Sequence, residues 1–333
     1  MARNKTPAAP AFAGATIKGR VMRAFIFPGQ GSQSVGMGRA LADASSHARE
    51  VFQEVDDALG QKLFRLMSEG PEDQLTLTEN AQPAIMANAI ATLRVLEKEG
   101  GVTLAAKADY VAGHSLGEYS ALCAAGAFDL ATAARLLKTR GQAMQAAVPV
   151  GVGAMAALLG ADIETAQRLA DAAAEGEICT VANDNDPLQV VISGHKGAVE
   201  RAVALVKDYG IKRGVLLPVS APFHCPLMQP AADAMAEALG ANPPAAPLVP
   251  VVANVTASPV SDADTIRDLL VQQVTGRVRW RESVGAMEDV GVTHFVEFGG
   301  KVLSPMVKRS ASGEVETVSL ISMDDIEALL KTL

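Results

Sequence analysis

The sequence contains one short pattern whose residue types and spacing could support nucleophilic catalysis, the segment GHSLG at residues 113–117. An apolar run, Tyr110–Ala112, precedes the pattern, and residues compatible with a helix, 118–125, follow it. A serine on a sharp turn between a strand and a helix exposes its hydroxyl and leaves the next backbone N–H free to stabilise an oxyanion. Ser115 is therefore a candidate nucleophile. The alternative is a glycine-rich loop whose serine only caps the helix.

A serine hydroxyl becomes a good nucleophile only when a base takes its proton, so the chain must also supply a histidine. His47 and His195 stand among charged neighbours in segments typical of a surface, and His294 lies in a predicted strand. His114 is fixed beside the serine and points elsewhere. His224 remains, in a loop interrupted by prolines, and such loops often hold catalytic groups. A loop histidine hydrogen-bonded to the backbone is the alternative interpretation.

The composition excludes several classes of protein. The 333 residues are 49% hydrophobic and 20% charged, with a net charge of -8 and 4% aromatic residues, so a folded enzyme is expected and nucleic-acid binding is not. Cys123, Cys179 and Cys225 form no CxxC pair, which argues against a disulfide framework and a zinc site and favours the reducing cytoplasm. No apolar stretch approaches the ~20 residues that a membrane span needs.

Two segments resemble signals that we set aside. Residues 1–20 are basic and free of acidic residues but lack a continuous apolar region, so we expect a disordered extension there, not a targeting peptide. Residues 29–34, GQGSQS, begin like a dinucleotide-binding loop, but the third glycine is missing and no ribose-binding acid stands at the expected distance. We therefore expect neither a nucleotide cofactor nor a metal.

Strands and helices alternate along the first part of the chain. The apolar run 24–27 predicts a buried strand, residues 38–59 a helix, residues 82–99 a second helix, and residues 110–112 another strand. Strands resume at 249–253 and 293–297. This alternation is typical of an α/β fold around a parallel sheet.

The middle of the chain has a different pattern. Strands are predicted at 153–159, 178–182, 188–193 and 215–217, and helices at 163–174 and 198–209. This β-α-β-β-α-β order is that of a ferredoxin-like domain. We therefore predict a disordered extension at 1–20, a discontinuous catalytic domain at 21–149 and 218–320, an inserted small domain at 150–217, and a C-terminal helix or tail at 321–333.

Five segments together resemble the malonyl-CoA:acyl carrier protein transacylases of fatty-acid synthesis. They are FPGQGSQ at 27–33, GHSLGE at 113–118, Arg140-Gly141, SAPFH at 220–224, and VRW at 278–280. Their order and spacing match the family from about residue 22 to about residue 309. The resemblance implies an α/β-hydrolase-like large domain built on a parallel sheet, with an inserted ferredoxin-like small domain.

The resemblance also implies roles for particular residues. Ser115 would be the nucleophile, His224 its general base, and the backbone N–H groups of Gln30 and Leu116 the oxyanion hole. Arg140 would hold the free carboxylate of the malonyl group through a charge-assisted pair, which would explain a preference for malonyl over acetyl groups. Without the resemblance, we would interpret Arg140 as a solvated cation in the last turn of a helix, where the helix dipole favours positive charge.

Four further residues are predicted to support the pocket. His114 lies beside the nucleophile, and Asn185 matches a family position that faces the site, although an Asn/Asp run is usually a turn. Malonyl-selective relatives in polyketide synthases tend to have phenylalanine where this chain has Phe223, so the resemblance implies malonyl over methylmalonyl groups; the alternative for Phe223 is ordinary core packing. The backbone carbonyl of Arg279 is expected to orient His224, because family members use a carbonyl in place of a triad aspartate.

The implied reaction is ping-pong transfer of a malonyl group from malonyl-CoA, through a malonyl-Ser115 ester, to the phosphopantetheine thiol of acyl carrier protein, for fatty-acid synthesis. CoA thioester is a substrate here, and we expect no cofactor, a monomer and a cytoplasmic location. The acidic carrier should meet a basic patch drawn from Lys212, Arg213, Arg277, Arg281, Lys301, Lys308 and Arg309. Two alternatives are a serine hydrolase of the same fold and a non-catalytic module that binds the carrier.

Overall fold

The computed structural model describes residues 20–219 and 221–333. The predicted extension at 1–20 therefore lies outside the described residues except for its last position, and Ser220 of the SAPFH segment lies outside them too. The strands are β1 (Met22–Phe27), β2 (Tyr110–Gly113), β3 (Gly153–Leu159), β4 (Cys179–Asp186), β5 (Gln189–His195), β6 (Arg213–Leu216), β7 (Val251–Ala253), β8 (Ser258–Val260), β9 (Val292–Phe298) and β10 (Glu316–Leu320).

Helices surround these strands. They are α1 (Arg39–Ala44), α2 (Ser46–Leu59), α3 (Leu63–Glu69), α4 (Glu72–Thr76), α5 (Thr78–Gly100), α6 (Leu104–Lys107), α7 (Leu116–Ala124), α8 (Leu130–Ala146), α9 (Ile163–Ala174), α10 (Lys196–Leu205), α11 (Gln229–Ala241), α12 (Ala263–Thr275), α13 (Trp280–Asp289), α14 (Leu303–Ser310) and α15 (Met323–Leu330). In the described part of the chain, none of them is long and apolar enough to cross a membrane.

The larger sheet has the strand order β10-β9-β1-β2-β7-β8, and its neighbours are parallel except for the antiparallel pair β7–β8. In its central strand β1, residues 24–27 are apolar without interruption because both faces of this part of the strand are covered. Phe25 and Phe27 pack into one core, whereas Ala24 and Ile26 pack into another with Trp280. The predicted α/β fold with a parallel sheet is thus present.

The smaller sheet is antiparallel, with the order β4-β5-β3-β6. Its elements follow the predicted β-α-β-β-α-β succession, and α9 and α10 bury Leu169 and Val199 against it in a separate core. Two backbone hydrogen bonds join its strand β4 to the segment before α13: the Asp184 N–H donates to the Val278 carbonyl at 2.9 Å, and the Val278 N–H donates to the Ala182 carbonyl at 2.8 Å. The small sheet is therefore held against the segment that precedes α13.

Several predicted element boundaries were wrong for identifiable reasons. The single helix at 38–59 is two helices, because Ser45 is extended and its hydroxyl accepts from the Ala48 N–H to cap the second. The strand predicted at 178–182 extends to Asp186 as β4, and the Asn/Asp run 183–186, for which a turn was the alternative, pairs irregularly with β5 while each of its aspartates forms an ion pair. Strands β8 and β10 were missed because both are largely exposed edge strands without an apolar run.

We expect opposite effects from alanine at two helical glycines. In α7 an added Cβ at Gly117 would lie 2.2 Å from the carbonyl oxygen of Phe27 in β1, so Gly117→Ala should force the helix away from the sheet. At Gly285, inside α13, an added Cβ meets no atom within 4 Å, so Gly285→Ala should stabilise the protein by about 0.5–1 kcal/mol. Thermal unfolding of both variants tests this, and equal melting temperatures would contradict the described packing of α7 on β1.

Candidate active site

Ser115 occupies a strained turn between β2 and α7. Its backbone has φ 55 and ψ -112, a region that residues other than glycine rarely adopt. The turn is tight enough that an added Cβ at Gly113 would lie 1.9 Å from the carbonyl oxygen of Gly117. His224 has a similar positive φ of 57. The GHSLG segment is thus a strand-to-helix turn, as its sequence predicts, and both residues with positive φ face the same cavity.

The side chains of Ser115 and His224 meet although 109 positions separate them: Oγ of Ser115 lies 2.8 Å from Nε2 of His224. The other ring nitrogen, Nδ1, lies 2.9 Å from the carbonyl oxygen of Gln273 and 3.1 Å from that of Gly276. Both of these partners can only accept, so Nδ1 carries the proton. Nε2 is then free to accept the hydroxyl proton of Ser115.

The prediction that Arg279 supplies the carbonyl for His224 was wrong. The carbonyl of Arg279 is already used at the start of α13, where the Ser283 N–H and hydroxyl donate to it at 2.9 and 2.8 Å. The carbonyls of Gln273 and Gly276 are available instead, because they lie at the C-terminal end of α12, where helical carbonyls lack partners within the helix. The guanidinium of Arg279 pairs with Glu282.

Arg140 is buried in the same site, with a relative exposure of 1%. Its guanidinium donates to Oε1 of Gln82 at 2.9 Å, to Oε1 of Gln273 at 2.8 Å and to Oγ of Ser115 at 3.1 Å. Within residues 20–219 and 221–333 it forms no ion pair, and its Nε has no hydrogen-bond partner. The alternative of a solvated cation is therefore wrong, and the buried charge is available for an anion.

The environment lowers the pKa of His224 to about 3. Burial is the largest cause, because it disfavours the charged ring, and the positive charge of Arg140 acts in the same direction. The hydrogen bond to the carbonyl of Gln273 partly opposes both effects. At neutral pH the imidazole is therefore uncharged, which is the form that can take a proton from Ser115.

Three side chains that the sequence analysis did not identify hold the turn at Ser115. Oδ1 of Asn254 accepts the Ser115 N–H at 2.7 Å, and Nε2 of Gln273 donates to the Ser115 carbonyl at 3.0 Å. Oε2 of Glu118 accepts from Nε2 of Gln273 at 2.8 Å and from the Asn254 N–H at 3.1 Å. Burial raises the pKa of Glu118 to about 7.

Some of this support had a signal in the sequence. Glu118 is an acidic residue in a predicted apolar helix directly after the motif, and Asn254 follows a predicted strand at its carboxyl end, where parallel sheets place functional groups. Gln273 lies on the buried face of α12, where the helical period places apolar residues, so its polar side chain was a signal that the sequence analysis did not use.

The remaining predicted pocket residues lie around the same site. Nε2 of His114 lies 2.8 Å from Oδ1 of Asn185, a residue of the small sheet, and burial lowers the pKa of His114. Phe223 is buried, with 7% exposure, and its ring lines the cavity. Asn185 therefore contacts the site through His114 and does not line the cavity itself.

The cavity that Ser115 faces has a volume of about 240 Å³. The two residues predicted to form an oxyanion hole, Gln30 and Leu116, line it, and in the described part of the chain neither backbone N–H donates to an acceptor. The other lining residues are Gly31, Gln33, Thr76, Gln82, His114, Arg140, Met144, Met155, Asn183, Leu217, Pro218, Val219, Phe223 and His224. The walls thus combine apolar side chains with two free N–H donors, one base and one cation.

The predicted basic patch is only partly available. Three of its seven residues are paired with carboxylates: Arg277 with Glu282 at 3.3 Å, Arg281 with Asp184 at 2.8 Å, and Arg309 with Asp186 at 2.8 Å. The other four residues form no ion pair among the residues described; they are Lys212, Arg213, Lys301 and Lys308. The pairs with Asp184 and Asp186 join the small sheet to α13 and α14 and have a structural role.

Comparison with known proteins finds one family over nearly the whole chain. Residues 24–312 match the acyl transferase domain. The malonyl CoA-acyl carrier protein transacylase of Escherichia coli (strain K12) is 45% identical over 311 residues, which cover 93% of this chain and 98% of that protein. The protein of the same name from Bacillus subtilis (strain 168) is 44% identical, over 93% of this chain and 96% of its own.

Solved structures similar to this chain are also malonyltransferases. The acyl-carrier-protein-S-malonyltransferase of Bartonella henselae superposes with a TM-score of 0.91 at 51% identity, covering 94% of this chain and 99% of its own. A malonyl-transacylase in complex with its type II PKS acyl-carrier protein superposes with a TM-score of 0.90 at 40% identity, covering 94% of this chain and all of its own, 100%.

The burial of His224 beside Arg140 predicts an unusual titration. Since the pKa is lowered from 6.5 to about 3, the neutral form persists as the pH falls, and the ring nitrogen shifts should stay constant between pH 8 and pH 5. Arg140→Gln removes the neighbouring positive charge and should raise the midpoint. Nuclear magnetic resonance of ¹⁵N-labelled histidine measures both, with His224→Gln to assign the signal. A wild-type midpoint near 6.5 would contradict the described burial.

Proposed function

The chain belongs to the acyl transferase family as a relative of the malonyl CoA-acyl carrier protein transacylases, and from this premise we propose that it transfers malonyl groups from malonyl-CoA to an acyl carrier protein. It is an acyltransferase, of the [acyl-carrier-protein] S-malonyltransferase class. In the proposal the malonyl group travels as an ester of Ser115, the acceptor is the phosphopantetheine thiol of the carrier, and the product supplies fatty-acid synthesis.

One observation carries the proposal: a guanidinium that contacts no carboxylate of the described residues lies 3.1 Å from the hydroxyl that His224 can deprotonate. In a malonyl group the carboxylate carbon is two bonds from the acyl carbon. An acyl group on Oγ of Ser115 would therefore bring a malonyl carboxylate to Arg140, where Nε has a free N–H in the described part of the chain. An acetyl group would leave that buried charge unpaired.

In the first half-reaction Nε2 of His224 takes the proton of Ser115, and Oγ forms a bond to the thioester carbon. The N–H groups of Gln30 and Leu116 would stabilise the oxygen of the tetrahedral intermediate. The intermediate then collapses, the carbon–sulfur bond breaks, and the departing CoA sulfur receives the proton from His224. The product of this half is malonyl-Ser115 and free CoA.

The second half-reaction reverses these steps with a different thiol. His224 deprotonates the phosphopantetheine thiol, the sulfur attacks the Ser115 ester, and Oγ regains its proton. A bound malonyl carboxylate would cancel the charge of Arg140, which is the second cause of the low pKa of His224. Substrate binding would therefore raise the pKa of the base towards the working pH, where general bases are most effective.

We also propose the fold types of the two parts of the chain. The mixed sheet with its parallel core supports an α/β-hydrolase-like large domain, and the antiparallel β4-β5-β3-β6 sheet supports a ferredoxin-like insert at 150–217. The roles of Asn185 and Phe223 in the pocket, the absence of a cofactor, the monomeric state and the cytoplasmic location stay predictions.

A serine hydrolase of the same fold would use the same pair of side chains and differs in the acceptor. Incubation of the wild-type protein with malonyl-CoA alone should leave a stable adduct on Ser115, because the cavity holds the ester until a thiol enters. Intact-protein mass spectrometry should show one malonyl addition, which Ser115→Ala abolishes and Arg140→Ala reduces at least tenfold. Continuous release of malonate without an adduct would favour the hydrolase, and carrier binding without any adduct would favour the non-catalytic module.

Two cations that form no ion pair in the described part of the chain mark where the carrier would bind. Arg213 begins β6, which leads directly into Leu217 in the cavity wall. Lys301 follows Gly300, which packs so closely on Pro28 that an added Cβ would lie 2.9 Å from that ring, and Gln30 of the same loop lines the cavity. Both cations are exposed. Among the residues of the predicted basic patch, we therefore choose Arg213 and Lys301 for the test, because each carries a charge without an ion-pair partner in the described chain and is joined to the cavity wall.

Charge reversal at Arg213 and Lys301 should therefore weaken carrier recognition alone. Arg213→Glu and Lys301→Glu are expected to raise the KM for acyl carrier protein several-fold at low salt, while transfer to a small pantetheine thiol stays unchanged. Lys331→Glu is the matched control because it lies far from the cavity. Its neighbour Leu330 packs at Gly100, the last residue of α5, and about 27 Å of helix separate Gly100 from Gln82 in the cavity wall. An unchanged KM for the carrier would remove this docking surface.

A further inference from the structure

No carboxylate of residues 20–219 or 221–333 contacts the guanidinium of Arg140, yet one carboxylate lies a single side chain away. Nη2 of Arg140 donates to Oε1 of Gln273 at 2.8 Å, and Nε2 of the same amide donates to Oε2 of Glu118 at 2.8 Å. The amide thus links the cation to the anion and keeps them from direct contact. The ring of Tyr119 lies 5.7 Å from the guanidinium carbon and is the other group that favours its charge.

Glu118 is costly to bury as a carboxylate. Its relative exposure is 2%, and two hydrogen bonds, from Gln273 and from the Asn254 N–H, end on its Oε2. Burial raises its pKa because so few donors replace water around the charge. A glutamine carbonyl could accept the same two hydrogen bonds at a lower desolvation cost. The hydrogen bonds alone therefore do not explain why this position is acidic.

We propose that Glu118 is the counter-charge of Arg140, and that Gln273 holds it at a distance that leaves the guanidinium free to bind the carboxylate of the substrate. The pairing sets how strongly the pocket binds anions. Direct contact would neutralise Arg140 and block the substrate, whereas no counter-charge would leave a cation that binds any small anion and releases it slowly. This inference rests on the proposed function insofar as Arg140 is the site for the substrate carboxylate.

The proposal predicts opposite effects from two substitutions that conserve side-chain shape. Glu118→Gln removes the negative charge and should tighten the binding of free malonate about tenfold, the size expected for one charge acting across a bridging amide in a protein interior. Gln273→Glu moves a carboxylate onto Arg140 and should weaken malonate binding at least tenfold, while the backbone carbonyl that holds His224 is retained. If Glu118 only supported the structure, both variants would bind malonate more weakly.

Isothermal titration calorimetry of malonate at pH 8, where Glu118 is ionised, measures these dissociation constants without turnover. Glu297→Gln is the matched control, because Glu297 is also buried but accepts its hydrogen bonds at the start of α14 and from the Ser319 hydroxyl of β10, not from the site. Its dissociation constant should equal that of the wild type. Glu118→Asp gives an independent measurement: it keeps the charge on a shorter side chain, so we expect an affinity within about twofold of the wild type.

Unchanged or weaker malonate binding in Glu118→Gln would overturn the inference, as would a large loss in Glu118→Asp. Should Glu118→Gln fail to fold, the result for Glu118→Asp decides, because a role in hydrogen-bond geometry predicts a loss and a role in charge predicts none. Failure of the proposed function looks different. In that case the wild type and Arg140→Gln would bind malonate equally poorly, whatever residue occupies position 118.

Discussion

A positive charge removed from water without a carboxylate in contact is the constraint on which the site depends. Burying a guanidinium is costly unless its donors find acceptors, and two helices supply acceptors to Arg140 of α8: Gln82 comes from α5 and Gln273 from α12. The same charge lowers the pKa of His224. The base, the nucleophile and the anion site are therefore a single electrostatic unit, and a change in one alters the others.

Local sequence patterns predicted the elements well wherever one physical signal dominated. Strand β3 and helix α9 were predicted with their observed bounds, because a continuous apolar run and a clear helical period leave few alternatives. The turn at Ser115 was predicted because glycines on both sides are sterically required there. Edge strand β10 was not predicted, since an exposed strand does not need an apolar pattern.

These local patterns could not predict contacts between residues far apart in the sequence. Gln273 lies 158 positions from Ser115, and its amide and carbonyl together contact Ser115, His224 and Arg140. Its position on the buried face of α12 makes it an unusual polar residue, but the helical period does not tell which distant groups such a residue contacts. The acceptor for His224 was assigned to Arg279 from the family resemblance alone, six positions too far along the chain. Helix ends, where carbonyls lack partners, were the missing physical criterion.

The positive φ of Ser115 restricts which nucleophiles this turn can present. A second heavy atom on Cβ crowds the backbone in that region, so β-branched residues are true outliers there. Threonine carries the same hydroxyl chemistry as serine, yet it would have to relax the turn and withdraw the oxygen from His224. Cysteine, unbranched like serine, meets no such barrier. The shape of the main chain thus selects serine or cysteine over threonine before any reactivity is considered.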